Sequence, residues 1–127
     1  MYQLMKFKES RPIYLQIADR ICDEIHQGIY PEDGRIPSVR EYAEIVEVNA
    51  NTVMRSYDYL QMQEIIYNKR GIGYFVGEEA KNRILSARKE QFMDNEIEYF
   101  FRQLRSLGVS GDDLVKMYNE YCKQNKG

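Results

Sequence analysis

The sequence lacks most of what an active site is built from. It holds one histidine, His26, and two cysteines, Cys22 and Cys122, too far apart to form a C-x-x-C pair or a His/Cys cluster for a metal or a redox couple. It has no glycine-rich phosphate loop and no nucleophile beside a plausible base. Catalysis is therefore not expected, nor any cofactor or metal. Both thiols read as buried, and His26 reads as a packing or helix-terminus residue. Also missing are a long apolar run, a signal-peptide pattern, internal repeats and low-complexity tracts, which predicts a soluble cytoplasmic protein with no membrane partner. At 127 residues, 43% hydrophobic and 30% charged, the chain has room for one domain and a short accessory element, not for two large domains.

Positive charge is scarce as well. A formal net charge of −2 taken alone disfavours nucleic acid, because neutralising phosphates requires Lys and Arg. The distribution is uneven, however. Residues 1–12 carry +2 through Lys6, Lys8 and Arg11 against Glu9, residues 13–33 carry −4, residues 34–77 balance at five each way, and the last fifty balance at nine each way. A DNA-facing surface would have to be local, with the acids turned elsewhere. Asp19, Asp23 and Glu24 are expected on a solvated outer helix face.

Helical periodicity, by contrast, is abundant. Ile13, Ile17, Ile21 and Ile25 recur every four residues, with Ala18 and Cys22 beside them, predicting a helix from Pro12 to a stop at Gly28. Ile29 to Ile36, with Pro31 and Gly34, reads as an extended connection. Ser38 and Glu41 form a capping box after Pro37, so a second helix runs through Val46, with Val39, Tyr42, Ala43 and Val46 inward and Arg40 and Glu44 outward. After a turn over Glu47 to Asn49, Asn49 caps a third helix reaching Met62. Val53, Tyr57 and Leu60 lie on its core side, and Asn51, Thr52 and Arg55 lie opposite. Two short helices joined by a tight turn make a helix-turn-helix, whose second helix enters a DNA groove. Ile65 to Tyr67 and Tyr74 to Val76 flank Asn68, Lys69, Arg70, Gly71, Ile72 and Gly73, a hairpin with a basic tip, that is, a wing. Tyr57, Tyr67 and Tyr74 read as core and sheet packing rather than base-stacking platforms.

Beyond Gly77 the pattern predicts a long charged helix from about Glu79 to Ser106, a turn, and a last helix from about Gly111 to Gln124. Met93, Ile97, Phe100, Leu104 and Leu107 alternate spacings of four and three, a coiled-coil seam that Phe92 and Phe101 widen. Ser110 and Asp113 repeat a capping pattern before Leu114, Tyr118 and Tyr121, so the two helices are expected to fold back as a hairpin. Such a pair is too small to cover so much aromatic surface by itself, which predicts a homodimer. The expected fold class is mainly α with a small β-hairpin: a winged helix-turn-helix over residues 1–77, then a helical dimerisation region over residues 78–127.

The stretch from Gly34 to Glu41, the segment Val48, Asn49, Ala50, Asn51, Thr52, Val53, and the run Gly71 to Val76 together resemble the DNA-binding domain of the GntR family. The resemblance covers roughly residues 11–77. The Val48 to Val53 segment and the short C-terminal part are similar to the YtrA subfamily in particular. The resemblance implies a bacterial repressor that binds double-stranded DNA. It implies that Arg40, matching the family's proline-serine-x-arginine motif, contacts DNA from the second helix, that Asn51, Thr52 and Arg55 face the major groove, and that Arg70 and Gly71 at the wing tip approach the minor groove. Lys69 would join them, and Asn49 opens a helix whose first amides favour phosphate. Two positions depart from the pattern. Glu64 stands where the family usually has glycine, so either the entry to the hairpin is less tight or the residue holds a strained angle, and Ala50 replaces the subfamily's usual proline.

The competing reading is a winged-helix protein-interaction module without DNA binding. It would want apolar residues at positions 51, 52 and 55, and those positions are polar. Fifty C-terminal residues in two helices are too few to enclose an effector cavity of about 300 Å³ or more. A small-molecule effector is left open, to bind at the dimer seam or be replaced by a partner protein.

Overall fold

The computed structural model describes residues 11–125. Lys6, Lys8 and Glu9 lie outside the described residues. The elements are α1 (Ile13–His26), α2 (Val39–Val46), α3 (Ala50–Met62), β1 (Ile66–Lys69), β2 (Gly73–Val76), α4 (Ala80–Gln91), a π-helical turn (Phe92–Glu96), α5 (Ile97–Ser106) and α6 (Gly111–Gln124). The chain divides into two compact units, between Ser86 and Ala87.

The first unit is a three-helix core closed by a small sheet. The isoleucine stripe of α1 is buried from its second turn on, with Ile17, Ile21 and Ile25 packed among Tyr42, Ala43 and Val46 of α2 and Val53, Tyr57 and Leu60 of α3, whereas Ile13 at the helix start is exposed. Strands β1 and β2 pair antiparallel, Ile66 opposite Val76 and Lys69 opposite Gly73. The extended connection lies along β2: the Ile36 amide donates to the Tyr74 carbonyl at 3.0 Å, and the Val76 amide donates to the Gly34 carbonyl at 2.9 Å. The core extends beyond Gly77, because Ala80 and Ile84 of α4 are buried in it. The first turns of α4 thus belong to the winged-helix unit.

The second unit follows a different rule. The long helix expected from Glu79 to Ser106 forms without a break from Ala80 to Ser106, α4 running into α5 through a π turn at Phe92–Glu96. Helix α5 then closes at Gly108 with a positive φ of 74°, and the Val109 amide reaches back to the Leu104 carbonyl at 3.0 Å. Ser110 and Asp113 make the reciprocal capping box that starts α6. Helices α5 and α6 contain no buried residue. Among the described residues, no helix is long and apolar enough to cross a membrane.

Two expectations need correction. Cys22 is buried, but Cys122 is exposed on α6, because that helix has no layer above it. Glu24 is half-buried rather than on an open face: it accepts a hydrogen bond from the Tyr42 hydroxyl at 2.8 Å and a longer one from Tyr30 at 3.5 Å. The core tyrosines bring hydroxyl groups that need an acceptor, and an acid on the flank of α1 supplies it. Asp19 is paired with Arg11.

Candidate nucleic-acid interface

Local chemistry fixes the helix-turn-helix. The Ser38 hydroxyl accepts from the Glu41 amide at 3.1 Å, and the Glu41 carboxylate accepts from the Ser38 amide at 2.9 Å. The Ser38 amide, with its hydroxyl, holds the Glu41 carboxyl below the usual carboxylate range. The turn is closed by Glu47 at φ 54°, with the Val48 amide on the Ala43 carbonyl at 3.1 Å. Asn49 then caps α3, its side-chain oxygen accepting from the Asn51 amide at 2.7 Å. Helix α3 is tied to its neighbours through buried polar groups: the Tyr57 hydroxyl donates to the Pro37 carbonyl at 2.6 Å, and the buried Ser56 hydroxyl donates to the Tyr14 carbonyl at 2.6 Å.

With its inner face anchored this way, α3 presents Asn51, Met54, Arg55 and Asp58 outward. The residues expected to share one open face are not equivalent. Asn51 is exposed, whereas Thr52 is half-buried and its carbonyl accepts from Ser56 at 3.3 Å. Arg55 is exposed, but its guanidinium lies over the Tyr14 ring, 4.2 Å from the centroid, so it leans toward α1. On the other flank, the Tyr74 hydroxyl of β2 meets the Met54 sulfur at 3.9 Å. Arg40 projects from α2 into solvent.

The wing tip turns at Gly71, φ 79°, with Lys69, Arg70 and Ile72 all exposed. The ammonium of Lys69 sits 4.7 Å from the centroid of the Phe75 ring, which itself stacks on Tyr67. One cation was not singled out from the sequence: Arg35, exposed on the segment beside β2. A Cβ at Gly73 would lie 3.1 Å from its Nε, so the glycine, at φ 145°, makes room for the arginine at the base of the wing. Its sequence signal is its place inside the Gly34 to Glu41 stretch, five residues before Arg40. All five cations of residues 34–77 (Arg35, Arg40, Arg55, Lys69 and Arg70) are exposed.

Of the expected seam residues, Phe92, Met93, Phe100, Phe101 and Leu107 are exposed, and Ile97 and Leu104 are half-buried. The aromatic surface is wider than the heptad pattern indicated, since Tyr99, Tyr118 and Tyr121 are exposed too. A surface trough of about 570 Å³ runs along Phe92, Ile97, Tyr99 and Phe100.

Comparison with known proteins places this geometry. The family described as bacterial regulatory proteins, gntR family, matches residues 13–76. The HTH-type transcriptional repressor YtrA of Bacillus subtilis is 30% identical over 94% of this chain and 92% of its own. A solved structure described as a transcriptional regulator of the GntR family from Bacteroides thetaiotaomicron is 64% identical, with a TM-score of 0.80 over 89% of this chain and 99% of that one. The DNA-binding domain of AraR in complex with operator ORX1 aligns with a TM-score of 0.52 at 28% identity, covering 61% of this chain and 93% of that one. With helix-turn-helix, wing and short helical C-terminal part all matched, this chain belongs to the GntR family of bacterial transcriptional regulators and is of its YtrA type.

Proposed function

We propose that the protein is a cytoplasmic repressor that binds a palindromic operator as a homodimer, with α3 in the major groove and the wing toward the minor groove. The observation that carries this reading is the surface around α3. The helix buries Val53, Tyr57 and Leu60, turns Asn51 outward, and lies among α2, the wing and the segment beside β2, whose cations Arg40, Lys69, Arg70 and Arg35 are exposed. Repression by the similar YtrA and operator binding by the similar AraR domain support it.

The roles divide by chemistry. Asn51 suits a base edge, since an amide can pair in two places with adenine. Arg40 suits a phosphate or a guanine edge. Arg55, leaning on Tyr14, is better placed to hold a phosphate than to enter the groove, and the amides at the start of α3, beyond Asn49 and near Thr52, add a partial positive charge. Lys69, Arg70 and Arg35 supply the wing's attraction to the backbone, with Gly71 allowing close approach. The exposed apolar surface of α5 and α6 supports pairing by two-fold symmetry, which would set two α3 helices about 34 Å apart on successive major grooves.

Selection of bound sequences from random DNA tests the whole reading, and an enriched palindrome is the expected result. On that site Asn51→Ala is expected to cost about 1 to 3 kcal/mol and flatten the preference. Neutralising Lys69 and Arg70 together is expected to reduce the slope of log affinity against log salt by about one or two units. A selection that enriches nothing, or a salt slope that does not change, contradicts the proposal.

A further inference from the structure

Met54 is an exposed apolar residue midway along the recognition helix, whose last residue Met62 is exposed as well, and Met54 is held in place from behind. It is 40% exposed, three residues from Asn51 and four from Asp58, and so neighbours both on the helix surface. Its sulfur accepts from the Tyr74 hydroxyl at 3.9 Å. The Tyr74 ring meets the Tyr57 ring edge-on with centroids 4.9 Å apart, and Tyr57 is itself fully buried and bonded to the Pro37 carbonyl. Two tyrosines therefore support the thioether from the sheet to the start of α2.

This support indicates what Met54 does. A thioether is no donor and only a weak acceptor, so it cannot read the donor and acceptor pattern of a base pair. The one apolar feature a major groove presents is the C5-methyl of thymine. We propose that Met54 reads a thymine methyl at a base pair adjacent to the one contacted by Asn51, making thymine a specificity determinant of each half-site. The inference rests on the operator reading above and assigns one more contact within it.

The test uses the full-length protein and the DNA enriched by selection, beside the same DNA in which each thymine in turn is replaced by deoxyuridine. That change removes only the methyl and leaves pairing intact. One symmetric pair of positions is expected to respond in the wild type, with a loss of about fourfold per half-site, the worth of one buried methyl-sized group. Met54→Ala is expected to bind the thymine and uracil sites alike, and Met54→Leu, apolar and of similar size, to keep the preference. Melting of each variant in the absence of DNA shows that it is folded. Wild-type indifference to uracil at every position, or a Met54→Ala protein that keeps the wild-type ratio, overturns the assignment while leaving the operator reading standing. A selection that enriches no sequence removes both.

Discussion

Tyr57 and Phe100 are both large aromatic residues on the apolar stripe of a helix, yet Tyr57 has no exposed surface and Phe100 keeps 41% of its own. The difference is one of layers. Around Tyr57, α1, α2 and the sheet close from three sides, and a hydroxyl acceptor is ready at Pro37. Around Phe100 there is the trough along its own helix, and Phe101 at 6.2 Å. An amphipathic stripe states that a helix will bury a face, not which chain supplies the cover. The first unit finishes its core within itself, and the second displays Phe92, Phe101, Tyr118 and Tyr121, a surface suited to a second copy.

The largest effect is expected from breaking the second unit. A Phe100→Asp, Leu104→Asp protein should sediment as a monomer and lose about 10² to 10⁴ in operator affinity, because linked readers lose their avidity without losing a single DNA contact. The melting of its winged-helix unit should be unchanged. An intact wild-type protein that is monomeric at micromolar concentration, and binds one copy per site, would refute the dimer.

Truncation should then separate the two units by the way stability depends on concentration. Leu60→Ala removes a fully buried side chain and should cost about 2 to 5 kcal/mol whatever the protein concentration. Leu107, 77% exposed, should give a Leu107→Ala effect that is visible only where the protein is dimeric and that shrinks on dilution. Denaturation at two concentrations distinguishes them.

Smaller still is the contribution of the tyrosine cluster. Burial, and then the nearby Glu24 charge, push the Tyr30 hydroxyl up to about 12, and Tyr42 is raised further by the same causes in the same order. A folded-state pKa above the unfolded value means stability that is complete below about pH 10 and is lost as pH rises toward 12 and beyond. The first unit should therefore weaken through that alkaline window, and Tyr42→Phe should remove part of the dependence. The same change deprives the Glu24 carboxylate of the shorter of its two tyrosine donors, at about 1 to 3 kcal/mol at neutral pH. A flat stability profile through the window, in the wild type, would contradict the cluster.

What could be read from the sequence followed from what is local. The capping boxes at Ser38 and Ser110, the α1 stripe apart from the exposed Ile13, the Asn49 cap and the wing all depend on residues within a few positions of one another, and all formed. Tertiary relations were not legible. Nothing near Arg55 signals Tyr14 forty-one positions earlier, nothing in α1 marks Glu24 as the acceptor for Tyr42, and the burial of Ala80 and Ile84 depends on a core that is complete only in three dimensions. The settings of Met54 and Arg35 likewise depend on β2, Met54 on Tyr74 and Arg35 on Gly73.

The smallest effect concerns helix ends, where both units use one device with different residues. Helices α1 and α5 end on Gly28 and Gly108, at φ 85° and 74°, whereas α2 and α3 end on Glu47 and Glu64, at φ 54° and 59°. After α3 the Ile65 amide reaches the Leu60 carbonyl at 2.9 Å and the Glu64 amide reaches Gln61 at 2.9 Å, the hydrogen-bond pair that requires a left-handed residue between them. A side chain in that conformation costs about 1 to 2 kcal/mol, so Glu64→Gly should relieve strain. Two losses offset the gain. Glycine gives the unfolded chain more freedom, at about 0.5 to 1 kcal/mol, and the exposed Arg83 to Glu64 pair at 3.3 Å disappears, a contact of the kind worth about 0 to 1 kcal/mol. At the middle of these ranges the net is a gain of about 0.25 kcal/mol, a rise of about one to two degrees in melting temperature for a unit of this size. Gly28→Ala provides the opposite sign: a Cβ there meets nothing within 4 Å, so only the φ of 85° opposes it, and a loss of about 1 kcal/mol is expected. If denaturant midpoints move the same way for both variants, strain at the left-handed residue does not govern how these helices end.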